Sequence, residues 1–266
     1  MKKLVVFVIG FMMIFTNIGY AAEKSMTSFI DSSMSSQGVV NVKYLSASNK
    51  KLKLIVQKDQ SQYVYNLKGD ESVESFPLQL NSGQYKISIM ENVEGKSYKQ
   101  VLSSSINVKL EDPNKTYLNS IQNVRWDENT KAVAKAKELT KNAKTDEEKI
   151  KIVYEYVVKN VKYDYDKIGN LATDYVPVVD ETFESNKGIC YDFASMFAAM
   201  LRSLNIPTKL VKGYTKNAVG YHAWNEVLIN GKWIVVDTTY DSQVAENNKK
   251  YTMAKDAKIY EKVNEY

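Results

Sequence analysis

Asn230-Gly231 sits between two apolar runs, Tyr221 to Ile229 and Lys232 to Thr239. That dipeptide between strand-like runs specifies a two-residue hairpin turn, because both positions need a positive φ that Asn and Gly tolerate. The turn fixes a register: Ile229 faces Lys232, Leu228 faces Trp233, and counting on, Trp224 faces Asp237 and His222 faces Thr239. His222 and Asp237 are then diagonal neighbours on one face, with Cβ atoms roughly 7–8 Å apart or less. An imidazole and a carboxylate can hydrogen-bond across that gap. Trp224, Glu226, Trp233 and Val235 share this face, whereas Ala223, Val227, Ile229, Ile234 and Val236 form an apolar layer on the other.

The sequence holds one His and one Cys, so a Cys-and-His mechanism has a single possible pair, and no intramolecular disulfide can form. Cys190 follows Gly188-Ile189 at the head of a run with Phe193, Phe197, Met200, Leu201 and Leu204 at helical spacing, stopped by Asn205-Ile206-Pro207. A helix start presents unpaired N–H groups and partial positive charge, which favour a thiolate. Each residue alone has a plainer reading: a packed Cys, a structural His, a turn-forming Asp. Together they form a triad. Cys190 attacks a carbonyl, His222 takes the thiol proton and returns one to the leaving group, and Asp237 orients the ring. The Cys190 backbone N–H is one candidate oxyanion donor, and Tyr163 is a candidate for a second. Trp224 and Trp233 are candidates for the wall of a substrate channel.

Residues 22–112 read as β structure. Val39 to Tyr44, Lys51 to Gln57, Gln62 to Leu67, Tyr85 to Met90 and Ser104 to Leu110 are strand-like, with turns at Lys68-Gly69-Asp70, Asn81-Ser82-Gly83 and Glu94-Gly95-Lys96. Such spacing predicts a small β-sandwich, immunoglobulin-like in strand count. After Glu111-Asp112-Pro113-Asn114 the period changes. Asn129 to Lys141 and Asp146 to Val161 read as helices, the second opened by Thr145 with Glu148 three residues on, a capping-box pattern. Val161 to Lys187 reads as irregular, and Thr208 to Tyr214 as a strand. The Lys- and Tyr-rich stretch beyond Asp241 is expected to hold a last strand and an extension. Residues 113–266 thus form a second, α+β domain.

Lys2 and Lys3, the apolar run Leu4 to Phe15 and the small residues of Gly19-Tyr20-Ala21 have the layout of a secretory signal peptide, residues 1–21. The apolar run is short of the roughly 20 residues a spanning helix needs, so export without an integral membrane span is expected, to the medium, cell surface or wall. The formal charge of +5 comes almost wholly from Lys, interleaved with Asp and Glu, which gives no nucleic-acid footprint. No metal cluster or nucleotide loop is visible, so no cofactor and no metal are expected.

Gly188-Ile189-Cys190-Tyr191-Asp192-Phe193-Ala194 resembles the nucleophile motif of the transglutaminase-like superfamily. Leu201 to Pro207 resembles the end of its nucleophile helix, and Val211-Lys212-Gly213-Tyr214 the next strand. His222 to Val227 and Gly231 to Thr239 resemble its His and Asp motifs. The resemblance spans roughly residues 145–241 in family order. It implies a papain-like core of helices packed on an antiparallel sheet, with Cys190 as nucleophile, His222 as base and Asp237 as orienting acid. No Asp-x-Asp-x-Asp-Gly calcium loop is present. The superfamily holds transglutaminases, peptidases, peptide N-glycanases and inactive members. Three readings therefore stay open: acyl transfer from a glutamine amide to an amine through a thioester, hydrolysis by the same triad, and a non-catalytic surface role. The expected partner is a protein or peptide substrate, with a cell-wall or surface protein as one candidate.

Overall fold

The computed structural model describes residues 28–46, 50–70 and 72–266; the export motif at residues 1–21 lies outside the described residues. Seven strands come first: β1 (Phe29–Asp31), β2 (Val39–Lys43), β3 (Leu52–Lys58), β4 (Ser61–Leu67), β5 (Glu74–Pro77), β6 (Gly83–Glu94) and β7 (Ser97–Val108). They form two antiparallel sheets, ordered β1-β2-β5 and β4-β3-β6-β7. Alternation decides which side chains enter the core. Leu52, Leu54 and Val56 of β3 and Tyr85, Ile87 and Ile89 of β6 are buried while the residues between them are more open, apart from Ser88. β6 and β7 run longer than the apolar pattern indicates, because Ser97 to Gln100 lacks aliphatic residues yet pairs with β6 along an edge.

Helices α1 (Lys131–Thr140) and α2 (Asp146–Asn160) follow, then β8 (Lys162–Tyr163), α3 (Tyr165–Gly169), α4 (Val179–Ser185), β9 (Lys187–Gly188) and α5 (Cys190–Arg202). The remaining elements are β10 (Thr208–Thr215), β11 (His222–Ile229), β12 (Lys232–Val236), α6 (Thr238–Glu246) and β13 (Tyr260–Glu265). The fold is α+β, with α5 packed on an antiparallel sheet ordered β12-β11-β10-β13. Among the described residues no helix is long and apolar enough to cross a membrane.

The start of α2 keeps the predicted cap in altered form. Thr145 accepts from the Glu148 N–H at 3.2 Å, but the Glu148 carboxylate accepts from the Lys144 N–H rather than returning to Thr145. The stretch read as irregular, Val161 to Lys187, contains α3, α4 and a short parallel β8/β9 pair. These were hidden because α4 buries only Val179 and Thr182, too few positions to show a period.

α5 is buried on every side rather than amphipathic: Tyr191 through Arg202 are all buried. The small residues Ala194, Ser195, Ala198 and Ala199 let neighbours approach closely, and Ser195 Oγ donates to the Asn123 carbonyl at 2.9 Å. Phe193 and Phe197 are fully buried, each worth about 1.5–3 kcal/mol. Arg202 closes the helix, donating to the carbonyls of Thr208, Asn119 and Tyr266 at 2.9, 2.7 and 2.9 Å.

One apolar cluster runs from Val39 in the first sheets through α5 to Tyr266. Tyr266, just past β13, meets the rings of Tyr63 and Tyr65 at centroid distances of 6.0 and 5.9 Å. Gln79 Nε2 also donates to the Glu265 carbonyl at 3.2 Å. The stretch beyond Asp241 is therefore not an appended extension. It completes α6, supplies the edge strand of the second sheet and packs against the strands at the front of the chain.

Candidate active site

The Asn230-Gly231 turn forms as its sequence requires, with φ of 50° and 73°, and sets the expected register from Ile229↔Lys232 to Asn225↔Val236. The ladder then ends. The expected pairs Trp224–Asp237 and His222–Thr239 do not form, because Asp237 leaves the strand and caps α6, its Oδ1 accepting from the Tyr240 N–H at 3.0 Å. Asp is a preferred N-cap residue, and that bond competes with one more rung of strand. His222 and Asp237 still meet: His222 Nε2 lies 2.9 Å from Asp237 Oδ2, with the carboxylate fully buried.

Cys190 is the first residue of α5, and its side chain is close enough to the His222 ring to help raise that ring's pKa. Nε2 serves Asp237, which leaves the other ring nitrogen for sulfur. Burial opposes charging of His222, but Asp237 and Cys190 outweigh that, so its pKa is carried up from 6.5 to about 10. The Cys190 N–H is among the helix-start donors that lack an intrahelical acceptor. Asp192, two residues on, holds the turn into the helix: its carboxylate accepts from the Ile189 N–H at 2.9 Å, from Lys167 Nζ at 2.8 Å and from the Tyr175 hydroxyl. Gly188 makes this fold-back possible, since a Cβ there would lie 2.6 Å from the Asp192 Cβ.

Tyr163 lies beside the site. It pairs with Gly188 in the β8/β9 ladder, and burial followed by the nearby Cys190 pushes its phenol up to about 12. Trp224 lies beneath the imidazole, stacked at 6.3 Å between centroids and almost fully buried, so it supports His222 rather than lining an open channel. Trp233 is not at the site. It stands opposite Leu228, six residues along β11 from His222 and so about 20 Å away at roughly 3.3 Å per residue. There it packs on Tyr117 and lies under Lys209 Nζ. Both Trp residues are correctly placed on the triad face; strand length separates them.

Tyr260 is the site residue that pattern reasoning missed. From β13 it donates its hydroxyl to Asp237 Oδ2 at 2.9 Å, and Asn217 Nδ2 donates to that hydroxyl at 3.0 Å. With Val211, Trp224 and Val235 it forms a small apolar cluster behind the His222–Asp237 pair. No motif marks Tyr260, but the Tyr-rich composition near it was a weak signal. Among the described residues no group of three or more His, Cys, Asp or Glu is placed to hold a metal ion.

A helix-start thiol, a buried imidazole and a buried carboxylate thus come together on an α+β core. Residues 133–238 match the family described as the transglutaminase-like superfamily. A UPF0252 protein of Methanocaldococcus jannaschii is 31% identical over 138 residues, 44% of this chain and 39% of that protein. The kyphoscoliosis peptidase of Homo sapiens is 26% identical over 120 residues, 41% of this chain and 18% of the peptidase. Each match therefore spans less than half the length of the relative. Among solved structures, the periplasmic domain of TgpA from Pseudomonas aeruginosa is similar with a TM-score of 0.41 and 16% identity, over 83% of this chain and 95% of that one.

Proposed function

We propose that the protein is a transglutaminase-like cysteine enzyme that transfers the acyl group of a protein glutamine to an amine. The single observation carrying this is the His222 ring held 2.9 Å from buried Asp237 beside Cys190, the first residue of α5. The Cys190 thiolate adds to the carboxamide carbon, and the oxyanion is held by the Cys190 N–H with Tyr163 as second donor. Collapse breaks the C–N bond as the His222 imidazolium protonates the leaving nitrogen, which departs as ammonia, leaving a thioester on Cys190. An incoming amine, deprotonated by His222, attacks the thioester and releases the thiol with an isopeptide bond formed. Asp237 keeps the ring in the productive tautomer throughout.

A second reading, hydrolysis of the same thioester by water, is favoured by the similarity to a protein named as a peptidase. Incubation of residues 22–266 with a glutamine-containing protein and a labelled primary amine, scored by mass spectrometry, separates the two. Label incorporation that requires Cys190 supports transfer, while cleavage or deamidation without incorporation supports hydrolysis. Loss of both products would remove the enzymatic reading.

The signal-like segment at residues 1–21 supports placement of the enzyme outside the cytoplasm, acting on wall or surface proteins. Detection of the chain in the medium or wall fraction, beginning at residue 22, is the expected result. Full retention in the cytoplasm would overturn it.

A further inference from the structure

Lys212 is a cation with no assigned role that lies against the start of the nucleophile helix. It sits on β10 opposite Ala223, in the rung next to Gly213↔His222. Its Nζ lies 3.4 Å from the centroid of the Tyr191 ring, the residue after Cys190, and 5.4 Å from that of Tyr266. Gly213 lets this edge close up, because a Cβ there would fall 2.0 Å from the Glu261 carbonyl oxygen of β13. Three residues earlier, Lys209 pairs with Glu226 and Glu265. Among the described residues Lys212 has no carboxylate partner, and the charge that acts on it is that of Cys190.

The groups around Cys190 account for the other charges. His222 lies beside it and is itself paired with Asp237; Asp192 is neutralised by Lys167; Tyr163 and Tyr191 are phenols held protonated by burial. Lys212 remains as a formal positive charge without a counterion.

We propose that Lys212 is a positioning residue for the Cys190 thiolate: its ammonium, clamped between Tyr191 and Tyr266, supplies the positive charge that holds sulfur ionised at the helix start. This rests on Cys190 being the nucleophile of the reaction proposed above. Burial lowers the pKa of Lys212 to about 8, opposed by Cys190, so the ammonium persists at neutral pH. Coupling between the two charges is reciprocal, so each must shift the other.

The test uses the only Cys in the sequence as its reporter. The rate of alkylation by iodoacetamide is followed against pH for the wild-type chain, Lys212→Met and Lys212→Arg, with circular dichroism to confirm folding. Lys212→Met is expected to slow alkylation near neutral pH about tenfold and move the whole profile to higher pH, whereas Lys212→Arg keeps the wild-type profile. A lysine that merely packs would alter the unfolding temperature and leave the profile in place, which would overturn the proposal.

If Lys212→Met does not fold, the converse experiment decides. The ¹³Cε resonance of Lys212 is titrated in wild type and Cys190→Ser, and the midpoint is expected to fall when the thiolate is removed. An unchanged midpoint overturns the proposal. The two readings fail separately: amine incorporation with an unmoved alkylation profile sinks Lys212 alone, and a moved profile in a chain without transfer or cleavage sinks the proposed reaction alone.

Discussion

Tyr260 and His222 share one oxygen: both lie 2.9 Å from Asp237 Oδ2, the tyrosine hydroxyl from one side and the imidazole Nε2 from the other. The orienting carboxylate is thereby fixed by a strand that follows the family-matched segment in the chain. Removing the hydroxyl with Tyr260→Phe is expected to lower kcat about tenfold, the equivalent of one net hydrogen bond of roughly 1–1.5 kcal/mol lost in the transition state. Thermal unfolding should move by a few degrees at most. Unchanged kcat would mean that Tyr260 only packs against Trp224.

Asp237 does two things at once, orienting His222 and capping α6. Asp237→Asn keeps a capping oxygen but offers the wrong hydrogen-bonding group to the ring, so a rate loss on the order of 10⁴ with near-normal stability is expected. Asp237→Ala removes the cap as well and should cost about 1 kcal/mol more in urea unfolding. A rate loss below about tenfold in the Asn variant would show that the carboxylate does not set the tautomer.

Cys190→Ala is expected to abolish both amine incorporation and cleavage while leaving the unfolding temperature close to wild type. The residue contributes little buried apolar surface at the end of a helix whose core is Phe193 and Phe197. Residual activity in mass spectrometry would exclude Cys190 as nucleophile.

The raised pKa of His222 makes a statement about pH. A folded value of about 10, against an ordinary 6.5, means its contribution to stability is complete below about 6.5 and is lost as pH rises through about 10. Wild-type stability in urea should therefore decline across that window, and His222→Gln should lack this part of the decline. In proton NMR the His222 ring should titrate near 10, and earlier in Cys190→Ala, where only Asp237 supports the charge. A ring titrating near 6.5 in the wild type would contradict the hydrogen-bonded arrangement.

Arg202 ties the end of α5 to Asn119, Thr208 and Tyr266 through three carbonyls in a fully buried setting. Arg202→Met leaves those acceptors without donors and should cost about 3 kcal/mol or more, read as a lower urea midpoint. A change under about 1 kcal/mol would mean that water or neighbouring donors replace it.

Much of this site was legible in local sequence. Asn230-Gly231 set the hairpin register, because two consecutive positive φ values admit few residue pairs. Helical spacing after Cys190 located α5, and the family motifs placed Cys190, His222 and Asp237 in order. The same reasoning misjudged where β12 stops, since extension of a ladder and capping of the next helix are both local preferences of Asp237. It also placed Trp233 near the triad, because a shared strand face carries no information on distance along the strand. The spacing of Phe193, Phe197, Met200, Leu201 and Leu204 shows one buried face of α5, whereas Ala and Ser on the other face are silent in a hydrophobic pattern, although they are what lets neighbouring elements close on it.

The sequence by itself determined the hairpin, the helix that starts at Cys190 and the chemical types available, because turns, caps and periodicity act between residues a few positions apart. Tertiary structure alone decided that Tyr260 braces Asp237 from β13, that Lys212 lies over the Tyr191 ring, and that Tyr266 joins the last strand to Tyr63 and Tyr65. Those contacts link residues 21 to more than 200 positions apart. Their distances depend on how sheets and helices close around one core, which no local preference specifies.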